Sequence, residues 1–325
     1  MTMQINHLSS AFGAEVVGFD PTSTPDDATQ RALQTALDEH GVLIFRDIAL
    51  DRHLQTYLTE LLFGEKDLSD AKIARDAERQ STYYISNRIE GAAWPFGRLM
   101  WHSDGMWSDH PFGVISLYGE QVEPPVPPTH FASTSRAWNT LPRELREQVE
   151  GMSAVQVPGP EGFAHRRADH EEKGDLVQPV RGKAHSVTKP IVSRHLWGRL
   201  LRVLGLNAYS VTKPIVSRHP RTGSTLLSIS QQMTSHIVGV SREESEALLD
   251  ALFGHMYAPE NVVEHEWSPH DLVLWDNLAC QHARPDVKVD SSVRTLRKVG
   301  WPLPPRPKKQ VVGSRYRRVY AKLSR

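Results

Sequence analysis

Short apolar runs separated by turn residues constrain the fold of this chain more than any other feature. Val42–Phe45 and Val114–Tyr118 lie in its first half, and Leu272–Trp275 and Arg294–Trp301 lie near its end. Runs of this length that are bounded by turn signals are typical of strands. Helical patterns lie near the front of the chain and between these runs. We therefore predict a mainly β fold, a sandwich or barrel core with helices packed outside it.

Start and stop signals predict where the helices lie. Thr24 is expected to cap the first helix, with Pro25 at its first position and Gly41 at its end. Leucines at helical spacing follow Asp51 and predict a second helix. Further helices are predicted over 133–152, with a break at Pro142, and after a capping box that begins at Ser241.

The composition of the 325-residue chain, 39% hydrophobic and 23% charged, is that of an ordinary globular protein. No apolar run approaches the ~18 residues that a membrane-spanning helix needs. The N-terminus lacks the pattern of a signal peptide. A single cysteine, Cys280, excludes an internal disulfide and is expected to be a small buried thiol. We expect a cytoplasmic protein with one domain over 1–303 and a separate tail over 304–325.

The tail is strongly basic although the formal net charge of the whole chain is zero. Residues 304–325 hold eight Lys and Arg and no acid, which leaves 30 basic and 38 acidic residues in the rest. Such a tail can bind nucleic acid, a membrane or a neighbouring subunit, but it is more often a solvated terminus. We expect neither nucleic-acid nor membrane binding, because the body shows no module for either. A homo-oligomer is compatible with the sequence.

The middle of the chain contains a long polar segment and a repeat. Residues 158–185 are rich in charge, Gly and Pro, which predicts either a mobile lid or disorder. Ser186–His195 then recurs identically as Ser210–His219. Two identical strands cannot fill one place in a core, and only the second copy continues into a turn at 220–223 and a further strand. We interpret 186–209 as a local duplication outside the core.

A possible metal site begins at His102-Ser103-Asp104. On an extended strand, side chains two residues apart point to the same side, so this imidazole and carboxylate can share a metal. Two His and one carboxylate on one face of iron leave the opposite positions open for substrates and oxygen. His282 is the candidate second histidine. Alone, His-x-Asp is weak evidence, since most such pairs lie in solvated turns.

A second set of residues suits a 2-oxo acid as co-substrate. Its far carboxylate needs a fixed cation, best an arginine. Arg294 lies twelve residues after His282, consistent with a strand that returns beside the one near His282. Arg297 or Lys298 can add positive charge, and Thr129 is a candidate hydroxyl donor. Taken singly, Arg294 reads as a surface strand residue and Thr129 as a loop hydroxyl.

Together these motifs resemble the taurine dioxygenase and phenoxyacetate-herbicide dioxygenase family. The resemblance is carried by Trp101–Asp104, Thr129–Trp138, Trp275-Asp276-Asn277 followed by His282, and Arg294. The family consists of iron(II)- and 2-oxoglutarate-dependent oxygenases on a double-stranded β-helix, or jelly roll. One departure is Pro127-Pro128, where the family often has Gly-Gly-Asp.

The resemblance implies a ligand set and a reaction. His102, Asp104 and His282 would hold Fe(II), while Thr129 and Arg294 would bind 2-oxoglutarate. With O2, the enzyme would hydroxylate an unactivated C–H bond and release succinate and CO2. A carboxylate at position 104, rather than a small residue, implies oxidation without halogen transfer.

The substrate itself is only weakly indicated by the sequence. We expect a small organic metabolite, anionic or derived from an amino acid, and name Tyr83, Trp107 and Arg166 as candidate contacts. Two other functions stay open on the sequence alone. They are a non-catalytic jelly-roll protein that binds through its basic tail, and a zinc-dependent hydrolase.

Overall fold

Four β-sheets and six α-helices make up the part of the chain that the structure describes. In that part, no helix is long and apolar enough to cross a membrane. The structure is a computed structural model, and it describes residues 3–8, 12–66, 68–79, 84–108, 110–157 and 210–302.

Several sequence predictions concern residues outside these ranges and stay predictions. They are the lid over 158–185, the duplication over 186–209, the tail over 304–325, and the substrate contacts Tyr83 and Arg166.

The helices begin and end close to the predicted signals. The first helix starts later than predicted, because the Asp26 carboxylate, rather than Thr24, accepts the hydrogen bond from Thr29 N. Its end at Gly41 (φ 72°) is as predicted, since glycine adopts this left-handed conformation without strain. Ser241 forms the expected capping box with Glu244. The helices are α1 (Asp27–His40), α2 (Arg52–Phe63), α3 (Asp70–Arg79), α4 (Thr134–Thr140), α5 (Arg143–Val149) and α6 (Arg242–Met256).

The strands include every apolar run singled out in the sequence. In chain order they are β1 (Gln4–His7), β2 (Ala14–Val17), β3 (Val42–Phe45), β4 (Tyr84–Ser86), β5 (Gly97–His102), β6 (Val114–Val122), β7 (Thr129–Ser133), β8 (Ser153–Gln156), β9 (Val211–Pro214), β10 (Val216–Arg218), β11 (Thr225–Leu227), β12 (Thr234–Ile237), β13 (Val262–His265), β14 (Leu272–Asp276), β15 (Cys280–Val287) and β16 (Arg294–Trp301).

Two sheets form the body of a jelly roll, which confirms the predicted fold class. One has seven strands in the order β1-β2-β3-β14-β6-β16-β4, and the other has four in the order β13-β7-β15-β5. Their inner faces meet in one core cluster, where the rings of Phe131 and Trp275 lie 5.3 Å apart. The predicted position of β16 beside β15 is wrong. β16 lies in the seven-stranded sheet, so Arg294 faces the other sheet across the core.

Strand β14 shows why its sequence is apolar throughout. Leu272 and Leu274 belong to the cluster that also contains α1 and α2, whereas Val273 and Trp275 belong to the cluster between the sheets. Side chains alternate along a strand, so a strand covered on both faces needs apolar residues at every position.

The second copy of the repeat forms part of a smaller third layer. It supplies β9, which pairs with β8, and β10, which pairs with β11 in a hairpin. Ile215, between them, is fully buried in a cluster with α4 and α6. This region adjoins the four-stranded sheet, which carries His102 and His282.

Candidate metal centre

Three side chains converge at one end of the jelly roll. His102 ends β5, and its register partner on β15 is His282, so the two rings lie with centroids 4.2 Å apart. Asp104 completes the group, with 3.7 Å from His102 Nε2 to Asp104 Oδ1 and 3.9 Å from His282 Nε2 to Asp104 Oδ2. Among the described residues, this is the group of His, Cys and carboxylate side chains close enough to share a metal ion.

Asp104 is held differently from the sequence prediction. Strand β5 ends at His102, and Asp104 lies in the following turn rather than on the strand. Asn277, in the turn after β14, fixes it. Its Oδ1 accepts from Asp104 N at 2.9 Å, and its Nδ2 donates to Asp104 O and to Phe112 O. The sequence placed Asn277 in a motif without revealing this contact.

The protonation states suit a divalent metal. Burial lowers the pKa of both His102 and His282, which favours neutral imidazoles. Met100 O can only accept, so His102 Nδ1 carries the proton and Nε2 keeps its lone pair toward Asp104. Burial opposes ionisation of Asp104, but the Lys298 ammonium beside it outweighs this effect and holds the pKa of Asp104 well below its ordinary value. Two neutral nitrogens and one carboxylate fit Fe(II).

Lys298 brings a cation to this centre. Its buried ammonium pairs with Asp104 Oδ2. Arg297, the other residue considered for this role, points away and binds Gln55 and the carbonyl of Leu50. The alternation of side chains along β16 explains the difference.

A buried arginine and threonine form a second polar group across the core. Arg294 Nη2 donates to Thr129 Oγ1 at 3.1 Å, and its Nε donates to Pro127 O. Thr129 is the first residue of β7, so it lies on a strand rather than in the loop that its local sequence taken alone suggests. Burial, and then nearby Arg284, lower the pKa of Arg294 well below its ordinary value. Within the described residues no carboxylate pairs with Arg294, and a buried cation of this kind suits an anionic ligand.

Two further residues in this region carried no sequence signal that we used. Arg284 donates to the carbonyls of Trp94 and Gly97 and so fixes the segment before β5. Trp267 donates from Nε1 to Thr129 Oγ1 at 3.0 Å.

Cys280 is fully buried, as predicted, and burial raises the pKa of its thiol. Trp107 is half-buried just after Asp104, and its role stays a prediction.

Comparison with known proteins identifies the family. The model of the "Taurine catabolism dioxygenase TauD, TfdA family" matches residues 4–299. This chain belongs to the TauD/TfdA family. The sequence resemblance is thereby confirmed, and the family decides for an oxidoreductase over the two alternatives considered. Fe(II), 2-oxoglutarate and O2 are its cofactor and co-substrates.

Relatives in the TauD/TfdA family cover most of the chain. An alkylsulfatase of Acinetobacter baylyi is 28% identical over 86% of this chain and 79% of its own length. A 2,4-dichlorophenoxyacetate dioxygenase of Cupriavidus pinatubonensis is 24% identical over 87% and 92%, respectively. The crystal structure of AAD-2 with Mn(II) and N-oxalylglycine has a TM-score of 0.64 at 22% identity, covering 94% of this chain and 99% of that one. The last comparison supports the fold.

Proposed function

We propose that this dioxygenase hydroxylates an unactivated C–H bond of a small organic metabolite and releases succinate and CO2. His102, Asp104 and His282 would hold the iron, and Arg294 and Thr129 would bind the distal carboxylate of 2-oxoglutarate. The observation that carries the proposal is the pairing of an ionised Asp104 with two neutral, buried histidines at one end of a core that also holds the buried Arg294.

Each of these residues has a distinct task. The bound iron would supply the activation of O2 that is coupled to decarboxylation of 2-oxoglutarate. His102 and His282 present nitrogen lone pairs. Asp104 supplies a negative charge, because its low pKa keeps the carboxylate ionised. Arg294 offers a planar guanidinium suited to a carboxylate. The ring of Trp275, 4.9 Å from that of His282, helps to exclude water beside the ligands.

We further propose that the substrate carries a negative charge. Lys298 places a buried ammonium at Asp104 and balances the charge of that carboxylate, so the charge of a bound metal would be left uncompensated by the protein. An anionic substrate would be attracted to that charge. The relative from Cupriavidus pinatubonensis acts, by its name, on 2,4-dichlorophenoxyacetate, which is a carboxylate.

Turnover of matched substrate pairs tests both statements. Purified protein with Fe(II), ascorbate, 2-oxoglutarate and O2 is offered small carboxylates and sulfate esters, each beside a neutral analogue. We expect succinate release with the anions, incorporation of one oxygen atom from labelled O2 into the product, and loss of both in His102→Ala. Elemental analysis and oxygen consumption separate this activity from zinc-dependent hydrolysis. No turnover on the panel together with no 2-oxoglutarate binding would overturn the proposed activity. A preference for the neutral analogues would overturn the proposal that the substrate is anionic.

A further inference from the structure

The hydroxyl of Thr129 accepts two hydrogen bonds from groups that cannot accept. Trp267 Nε1 donates to its oxygen at 3.0 Å, and Arg294 Nη2 donates to the same oxygen at 3.1 Å. An indole N–H and a guanidinium N–H are donors only, and a hydroxyl oxygen has two lone pairs. Both lone pairs are therefore occupied, and the Thr129 proton is left to be donated to a third group.

The indole that enforces this arrangement is itself firmly held. Trp267 is 2% exposed, and the ring of His265 meets it edge-on, with centroids 4.5 Å apart. The Arg294 guanidinium lies over the indole at 5.8 Å from the ring centroid. His265 is the register partner of Thr129 on the neighbouring strand, so both side chains lie on one face of the sheet.

Charged groups also lie beside His265. Asp271 Oδ2 lies 3.4 Å from His265 Nε2 and is paired with Arg46 Nη1 at 2.6 Å. The contacts of the indole with His265 and Arg294 hold its N–H toward Thr129.

We propose that Trp267 is a positioning residue that makes Thr129 a hydrogen-bond donor toward the distal carboxylate of 2-oxoglutarate. The inference rests on the proposed roles of Thr129 and Arg294. A carboxylate accepts hydrogen bonds only, so the pocket must present protons to it. Without the indole N–H, one lone pair of Thr129 is open, and the hydroxyl is free to rotate and aim its proton elsewhere.

A double-mutant cycle with two ligands tests the proposal. Wild type, Trp267→Phe, Thr129→Val and the double variant are loaded with Mn(II), and binding of 2-oxoglutarate is measured by calorimetry. 2-Oxopentanoate, which has the same chain length without the distal carboxylate, is measured in parallel. We expect Trp267→Phe to weaken 2-oxoglutarate binding about tenfold, as for loss of a hydrogen bond to a charged group, and to leave 2-oxopentanoate unchanged.

Coupling between the two positions decides the result. In the Thr129→Val background, Trp267→Phe is expected to weaken binding no further, because the hydroxyl is absent. In a Thr129→Ser background, which keeps the hydroxyl, Trp267→Phe is expected to weaken binding about tenfold again. Additive losses, or equal losses for both acids, would mean that Trp267 only supports the fold, and the proposal would be wrong.

Two controls distinguish a role of Trp267 from other causes of weaker binding. Trp101→Phe makes the same change where the indole stacks on Tyr257, and it is expected to leave binding unchanged. If wild type binds 2-oxoglutarate no better than 2-oxopentanoate, the assignment of Thr129 and Arg294 fails, rather than the role of Trp267 alone. Trp267→Leu, which also lacks a hydrogen-bond donor, replaces the phenylalanine variant in the cycle if that variant does not fold.

Discussion

At the scale of single residues, burial decides which groups carry charge. Asp104 stays ionised because Lys298 offsets the cost of burying its carboxylate. His265, in contrast, loses its charge. Burial, then Arg46 and Arg294, lower its pKa to about 3, so it is neutral in the folded protein. Residue type alone does not distinguish these outcomes, since each depends on what packs around the group.

Neutral His265 predicts a loss of stability in acid. The unfolded chain binds a proton at this residue below about pH 6.5, whereas the folded protein does so only near pH 3. Protons therefore favour the unfolded state between these values, at about 1.4 kcal/mol for each pH unit. Urea unfolding of metal-free wild type and of His265→Asn, from pH 7 to 4.5, measures this loss of stability. The wild type is expected to lose stability relative to the variant as pH falls, and a constant difference would contradict the cause given.

At the scale of elements, one pair of strands and one pair of turns build the ligand set. Strand pairing alone brings His102 beside His282, because the two are register partners on β5 and β15. Asp104 lies beyond the end of β5, so pairing does not place it. The amide of Asn277, in the turn between β14 and β15, joins the two turns through both its oxygen and its nitrogen.

Removal of this amide is expected to loosen the metal site. Asn277→Ala leaves Asp104 N and Asp104 O without their partner, and loss of such supporting contacts typically weakens metal binding about 10–100-fold. Competition with a chelator measures the Fe(II) affinity. Asn6→Ala, at an exposed position on β1, is the matched control and is expected to bind as wild type does. Unchanged affinity in Asn277→Ala would show that Asp104 holds its place without the amide.

At the scale of the whole molecule, the second copy of the repeat ties distant parts together. His219 Nε2 lies 2.9 Å from Asp276 Oδ2, and both side chains are buried. His219 Nδ1 accepts from the backbone N–H groups of Arg221 and Thr222, so its Nε2 carries the proton donated to Asp276. Arg221 binds Asp38 on α1 and the carbonyl of Leu62 on α2. The first copy lacks this arginine, because Leu196 and Trp197 follow it.

The two identical decapeptides provide a matched pair of substitutions. His219→Ala removes a buried hydrogen bond to the Asp276 carboxylate and is expected to lower the free energy of unfolding by about 1.5–3 kcal/mol. His195→Ala changes the same residue in the same ten-residue context and is expected to have little effect. Urea unfolding of both variants measures the difference. Equal destabilisation by both would contradict our interpretation of 186–209 as a duplication outside the core.

The sequence by itself determined the class of the fold and the identities of the main candidates. Alternating and fully apolar runs such as Leu272–Trp275 predict strands from local chemistry, and the order of His102, Asp104, His282 and Arg294 follows a family pattern. These signals are local or depend on spacing, so one chain suffices to read them.

Only the tertiary structure decided how these residues meet. The sheet to which β16 belongs, the turn that carries Asp104, and the placement of Lys298 rather than Arg297 at the centre follow from pairing between segments far apart in sequence. The contacts of Asn277 and Trp267 are of the same kind, with partners more than a hundred residues away. No periodicity within a segment encodes them, because they depend on which faces come together when the two sheets close over one core.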